Sequence, residues 1–217
     1  MPRVRVKICG NTKREDVEHA IQSGADAVGF IVGFPSSPRN LYIERAADLM
    51  KDIPPLVDRV VVTRHEDMSM LRKIAEKLPA DAVQLIGEAP YSPELRQIFR
   101  NTRLIKVVHA GSYGLAMEPA INASKHYDAV LVDTAMQGVP GGTGLVHDWD
   151  LSSKVAELIR PKPLILAGGL NPSNVEDAIR AVKPYGVDVS SGVESAPGVK
   201  DHHKVERFIE NAMRVRI

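Results

Sequence analysis

The sequence predicts an α/β fold: a single-domain (β/α)8 TIM barrel with parallel strands, spanning residues 1–217. Three observations predict it. Short apolar, β-branched runs alternate with longer amphipathic segments along the whole chain. Eight such pairs can be drawn. The turn after the first run, Cys9-Gly10-Asn11-Thr12, lacks the G-x-G-x-x-G fingerprint that an open dinucleotide-binding sheet carries at that place. Strict alternation implies parallel strands with right-handed crossovers. The 217 residues sit at the compact end of the barrel range, which starts at about 200 residues.

Taken in order, the expected strands are Arg3–Cys9, Ala25–Val32, Leu56–Thr63, Asp81–Leu85, Arg103–Val108, Asp128–Val132, Pro163–Ala167 and Val187–Ser190. The expected helices are Lys13–Ser23, Ile43–Asp52, Asp67–Leu78, Pro93–Phe99, Leu115–Lys125, Leu151–Ile159, Pro172–Val182 and Asp201–Arg214. Ser92-Pro93 and Asn171-Pro172 each place a cap residue before a proline at the first helical position. A weak repeat pairs Asp16-Val17-Glu18-His19-Ala20-Ile21 with Asn174-Val175-Glu176-Asp177-Ala178-Ile179, each running on to Gly-x-Asp-x-Val or a shortened form of it. Internal duplication and the common pattern of any two βα units explain it equally well.

Composition narrows the function. Lys and Arg number 28 against 27 Asp and Glu, a formal charge of +1, which argues against a nucleic-acid partner held by a basic surface. No apolar run reaches the ~18–20 residues needed to span a bilayer, so no membrane role is expected. The start, Met-Pro-Arg-Val-Arg-Val-Lys, has no apolar signal-peptide core. One cysteine cannot form an internal disulfide, and the expected compartment is the reducing cytoplasm. No metal-ligand spacing stands out, since His202 and His203 diverge on a helix and no H-E-x-x-H is present.

A barrel's chemistry lies at the C-terminal ends of its strands. On the first strand, alternation puts Arg5, Lys7 and Cys9 on one face and Val4, Val6 and Ile8 on the other. The polar face should point inward, with Cys9 at the mouth as a base or as a small buried hydrophobe. Arg39, in a proline-rich loop, is suited to a carboxylate or phosphate, or is a solvated surface cation. Asp133 ends the sixth strand before a glycine-rich loop, Thr134–Asp148. It is a carboxylate beside a ligand-covering loop, or a helix cap or turn residue, and the loop suits a mobile cover over a ligand. Gly168, Gly169, Ser191 and Gly192 close the seventh and eighth strands, where barrels commonly bind phosphate, and Gly192–Gly198 is placed to supply a short extra helix.

The ordered motifs Val6-Lys7-Ile8-Cys9-Gly10, Asp26-Ala27-Val28-Gly29-Phe30, Ser37-Pro38-Arg39, Val83-Gln84-Leu85, Val132-Asp133-Thr134, Gly141-Gly142-Thr143-Gly144, Leu166-Ala167-Gly168-Gly169-Leu170 and Asp188-Val189-Ser190-Ser191-Gly192-Val193-Glu194 resemble the phosphoribosylanthranilate isomerase family of tryptophan biosynthesis over nearly the whole chain. The resemblance implies an Amadori rearrangement of a phosphosugar substrate. Asp133 would be the general acid, Cys9 the general base and Arg39 the holder of the anthranilate carboxylate. Gly142, Gly144 and the last two strand loops would hold the phosphate. It implies no cofactor and no metal. The oligomer is a monomer or a homodimer. Two positions depart from the family's pattern: Ile86 stands where histidine is common, and Asn11 where an apolar residue is usual. Rival readings are a related phosphosugar barrel, with Lys7 or Lys106 as a lysine acid, and a barrel that binds a phosphosugar without turning it over.

Overall fold

The computed structural model describes residues 3–109, 117–133 and 149–216. Eight parallel strands form the barrel: β1 (Arg5–Ile8), β2 (Ala27–Val32), β3 (Asp58–Arg64), β4 (Ala82–Ile86), β5 (Arg103–His109), β6 (Ala129–Asp133), β7 (Leu164–Leu166) and β8 (Gly186–Val189). Each pairs with its sequence neighbours, and β1 pairs with both β2 and β8, which closes the ring. Eight helices lie outside: α1 (Arg14–Gln22), α2 (Ile43–Met50), α3 (Met68–Lys77), α4 (Pro93–Ile98), α5 (Met117–His126), α6 (Trp149–Leu158), α7 (Val175–Val182) and α8 (His202–Arg214).

Alternation divides the strand residues into two buried sets. Val4, Val6, Ile8, Val28, Phe30, Val61, Val83, Leu85, Leu104, Val130 and Val187 pack outward against the helices. Val60, Ala82, Ile105, Val107, Ala129, Leu131 and Ala167 fill the barrel interior. The predicted barrel and its face assignment for β1 therefore hold.

A repeated carboxylate device pins the register at the N-terminal face. Asp26, Asp81 and Asp128 each precede a strand. Each accepts a hydrogen bond from a backbone N–H of the strand before: Val6 at 2.9 Å, Arg59 at 2.9 Å and Leu104 at 2.7 Å. An arginine then covers each carboxylate: Arg3 on Asp26, Arg59 on Asp81 and Arg96 on Asp128.

Several boundaries differ from the sequence reading for local reasons. Leu56 lies outside β3, in a turn at φ 74°. Ser92 caps α4 as predicted, accepting from the Glu94 N–H at 3.2 Å. Asn171 does not cap α7. Its side-chain oxygen closes a tight turn by accepting from the Ser173 N–H at 2.8 Å, and the helix starts at Val175. The short helix expected in Gly192–Gly198 is a single 3-10 turn at Ser191–Val193, followed by a hairpin of Glu194–Ala196 with Val199–Lys200. The predicted helix start at Leu115, and Thr134–Asp148 with Gly142 and Gly144, lie outside the described residues.

Asp26 carries the most of this device, with two arginines and one N–H. Asp26→Ala is expected to lower stability by about 2–3 kcal/mol, the scale of lost charge-assisted hydrogen bonds. Urea denaturation checks this, and a loss below about 0.5 kcal/mol would show that the carboxylate does not hold the register.

Candidate active site

The inward side chains at the strand ends form a ring around the mouth. Register places Arg64 beside Ile86 and His109 beside Asp133. Cys9 follows β1, its N–H donating to the Val189 carbonyl at 2.8 Å, so the thiol is held against the end of β8. It is almost fully buried. Gly29 makes room for it: a Cβ there would lie 2.8 Å from the Cys9 sulfur and 3.1 Å from Lys7 Cε.

Below the thiol, Lys7 and Asp188 form a buried ion pair at 2.9 Å. Burial works against the Lys7 charge, yet Asp188 and the thiol outweigh it, and the ammonium titrates above its ordinary value. Burial pushes the Cys9 thiol up; Lys7 opposes this and Asp188 adds to it. The resting sulfur is therefore a protonated thiol at neutral pH.

Arg39 reaches back from its loop across the end of β1. A Cβ on Gly10, which sits at φ +75°, would meet Arg39 Cδ at 2.7 Å and Ser190 Oγ at 2.8 Å; only glycine leaves this crossing open. The guanidinium grips Glu194 with two bonds, Nε to Oε1 at 2.8 Å and Nη2 to Oε2 at 2.5 Å. Lys200, with its side chain fully buried, donates to the same carboxylate at 3.0 Å and to the Ser190 carbonyl at 3.1 Å. Burial lowers the Lys200 pKa against the pull of Glu194. Two cations thus share one carboxylate, leaving a net positive wall beside Cys9.

The β7 and β8 loops meet closely. Gly168 and Gly169 turn at φ 86° and 64°. A Cβ on Gly192 would sit 1.9 Å from the Leu170 carbonyl oxygen, so the predicted glycines and Ser191 are brought into one place. Asp133, inward on β6 above Leu131, faces the same mouth.

The two lysines weighed as alternative acids are placed apart. Lys7 is committed to Asp188. Lys106 points to the helix side of β5, donating to the Gly87 carbonyl at 2.5 Å and lying 3.2 Å from His65 Nδ1. Burial and the Lys106 charge hold His65 down to about 4. Lys106 therefore belongs to the outer packing of the loops after β3 and β4, away from the inward side chains of the mouth.

A family model for N-(5'-phosphoribosyl)anthranilate isomerase matches residues 6–211. The chain belongs to this isomerase family. A relative of that name from Legionella pneumophila is 41% identical over 96% of each chain, and one from Methanosarcina acetivorans is 41% identical over 96% of this chain and 92% of its own. The solved phosphoribosyl anthranilate isomerase of Thermotoga maritima superposes with a TM-score of 0.87 at 42% identity, covering 98% of this chain and all of the other (100%). A family structure solved in complex with reduced 1-(o-carboxyphenylamino)-1-deoxyribulose 5-phosphate gives 0.83 at 40% identity over 98% of this chain.

Both departures from the family's pattern have structural settings. Asn11 is fully buried and its side-chain amide bridges β1 and β2, donating to the Ile8 carbonyl at 2.8 Å and the Gly29 carbonyl at 3.2 Å. Ile86 packs on the barrel interior. Sequence reasoning missed Asp188 as the partner of Lys7, Glu194 as the partner of Arg39, and the mouth residues Arg64 and His109. The period-2 pattern of β3 and β5 was enough to place the last two at the mouth.

Glu194→Gln would leave Arg39 and Lys200 side by side without their carboxylate. A loss of about 3 kcal/mol is expected, the scale for breaking a buried ion pair. Stability equal to that of the parent in guanidinium unfolding would mean the pair does not hold the loop.

Proposed function

We propose that the chain converts N-(5-phosphoribosyl)anthranilate to 1-(2-carboxyphenylamino)-1-deoxyribulose 5-phosphate by an Amadori rearrangement in the cytoplasm. The observation that carries this is the convergence of Cys9 and Asp133 on one mouth whose β7 and β8 loops are shaped by glycines. Asp133 donates a proton to the ribose ring oxygen, the C1–O bond breaks, and the aryl nitrogen lone pair forms the iminium. Cys9, as thiolate, removes the proton on C2. Those electrons form the C1–C2 double bond as the iminium π pair returns to nitrogen. The resulting enol tautomerises to the ketose. The iminium is the electron sink, so no cofactor is required. The peptide N–H groups of Gly168, Gly169, Ser191 and Gly192 suit a phosphate, and Gly142 and Gly144 are assigned to it on the family pattern. Arg39 and its Lys200 neighbour favour an anion close to Cys9. We place the substrate carboxylate within reach of Arg39, whose Nη1 is not used by Glu194.

We read the assembly as a homodimer. A Thermotoga maritima relative is described as dimeric. In this chain Leu56 is fully exposed (100%) beside a cavity of about 260 Å³ lined by Ile53, Pro54, Pro55 and Val57. Sedimentation velocity at micromolar concentration checks it, with twice the chain mass as the expected species.

Cys9→Ser and Asp133→Asn are each expected to lower kcat by roughly 100-fold or more, the scale of general acid–base catalysis. The assay is loss of anthranilate-type fluorescence, and parent-like turnover in either variant would remove that residue from its role. The pH profile follows from the same pair. The active form needs a protonated carboxyl and a thiolate together. Between the carboxyl's pKa and the thiol's, the fraction in that form is constant, because each proton lost from Asp133 is balanced by thiolate gained. Cys9 lies above its ordinary value of 9.0. So kcat/KM should stay level through neutral pH and turn down only above about pH 9. An alkaline limb below pH 8 would contradict the Cys9 assignment.

A further inference from the structure

Two neighbouring strands end in side chains that meet at the mouth. His109 ends β5 and Asp133 ends β6, and register pairs them directly. Both point inward. Ile105 and Val107 below His109, and Ala129 and Leu131 below Asp133, fill the barrel interior, while Leu104, Val108, Val130 and Val132 face the helices. Paired residues on adjacent strands stand about 5 Å apart, within side-chain reach of each other.

His109 differs from the other histidines in its surroundings. His65 Nδ1 lies 3.2 Å from Lys106 Nζ. His19 and His202 stack on each other and bond the His202 carbonyl and the Asp16 carboxylate. His126 stacks on Tyr91. The His109 Nδ1 is buried and has no hydrogen-bond partner among the described residues. A buried polar nitrogen without a partner is unfavourable in a folded protein, and it is tolerated where the working state of a site supplies the partner. Hydrogen bonds within a site are often long when no ligand is bound and tighten when one is. The acid proposed above has a need that such a donor meets. A carboxyl group has two equivalent oxygens, and it gives up its proton usefully only when the oxygen that carries it faces the acceptor. A donor bound to one oxygen leaves the other aimed.

We propose that His109 is the positioning residue of Asp133: its Nδ1–H bonds one carboxyl oxygen when the site is loaded and aims the other into the mouth. The imidazole acts through the acid and exchanges no proton with the ligand. Both side chains hang from strand ends that the barrel ladder holds, so their relative placement is set by the sheet and not by a loop.

The test is a double-mutant cycle on the full chain, with kcat and KM followed by loss of anthranilate-type fluorescence. His109→Ala should lower kcat about tenfold, the effect of a slight misplacement of a reacting group, and leave KM within twofold. His109→Leu, which fills the space without a donor, should do the same, so the result does not hang on the folding of one variant. His109→Asn places an amide donor near the position of Nδ1 and should recover most of the loss. In the Asp133→Asn background, His109→Ala should cost less than twofold, because a residue that acts through the acid has nothing left to act on. A tenfold loss that persists in that background, a rise in KM at constant kcat, or parent-like kcat in both His109→Ala and His109→Leu would each overturn the proposal. The inference rests on Asp133 as the acid, and the two fail differently. A parent without turnover, or an Asp133→Asn variant with parent-like kcat, strikes that reading and this one with it, whereas additive losses in the cycle strike His109 alone.

Discussion

Closure of the sheet at β1 is the constraint from which the site follows. Because β1 pairs with β2 on one side and β8 on the other, its inward residues Lys7 and Cys9 gain neighbours from both ends of the chain. Lys7 meets Asp188, 181 positions away, and Cys9 lies against Gly29. An open sheet would leave β1 or β8 at an edge, with Lys7 buried and lacking its carboxylate. An uncompensated buried ammonium is costly, so the ion pair and the ring depend on each other. The Asp26, Asp81 and Asp128 carboxylates serve that closure from the far face. A slip of one residue would turn every inward side chain outward, and the mouth would lose Cys9 and Asp133 together.

Alternation was legible because it is local. The face of Lys7 and Cys9, the outward set of Val4, Val6 and Ile8, and the cap at Ser92 each follow from residues a few positions apart. The Arg39–Glu194 pair was not legible, since its members are 155 positions apart and nothing near Arg39 marks it as partnered. Its role therefore read as a free cation, whereas two of its five N–H donors are committed to Glu194. Asn171 misled for the opposite reason. Its local signal was real, but the side chain satisfied the Ser173 N–H in a turn before the helix began, as asparagine often does. The crossing of Gly192 over Leu170 is a contact between two loops, and spacing alone carries no record of it.

The electrostatics set the resting state of the mouth. Burial favours the neutral thiol at Cys9, and the Lys7–Asp188 pair is nearly neutral as a unit, so it offers the sulfur a dipole more than a net charge. The positive excess comes from Arg39 and Lys200 sharing Glu194. A positive wall of this kind favours an anionic ligand. The thiolate that the proposed mechanism asks of Cys9 is thus its minor form at neutral pH, and a base of that kind would depend on its positioning more than on its equilibrium charge. Gly29 then matters chemically as well as sterically, because it fixes where the sulfur stands.

The two halves of the mouth differ in what they present. Gly168 and Gly169 turn at positive φ, and Gly192 passes so close to the Leu170 carbonyl that no Cβ fits, so the β7 and β8 loops offer backbone where side chains would otherwise stand. Across the ring, β3, β4 and β5 end in the side chains of Arg64, Ile86 and His109, and register sets His109 beside Asp133. A compact anion can be met by peptide N–H groups alone, whereas a flat, partly apolar group needs side chains, so a ring with one bare half and one furnished half suits a ligand whose two ends differ in chemistry.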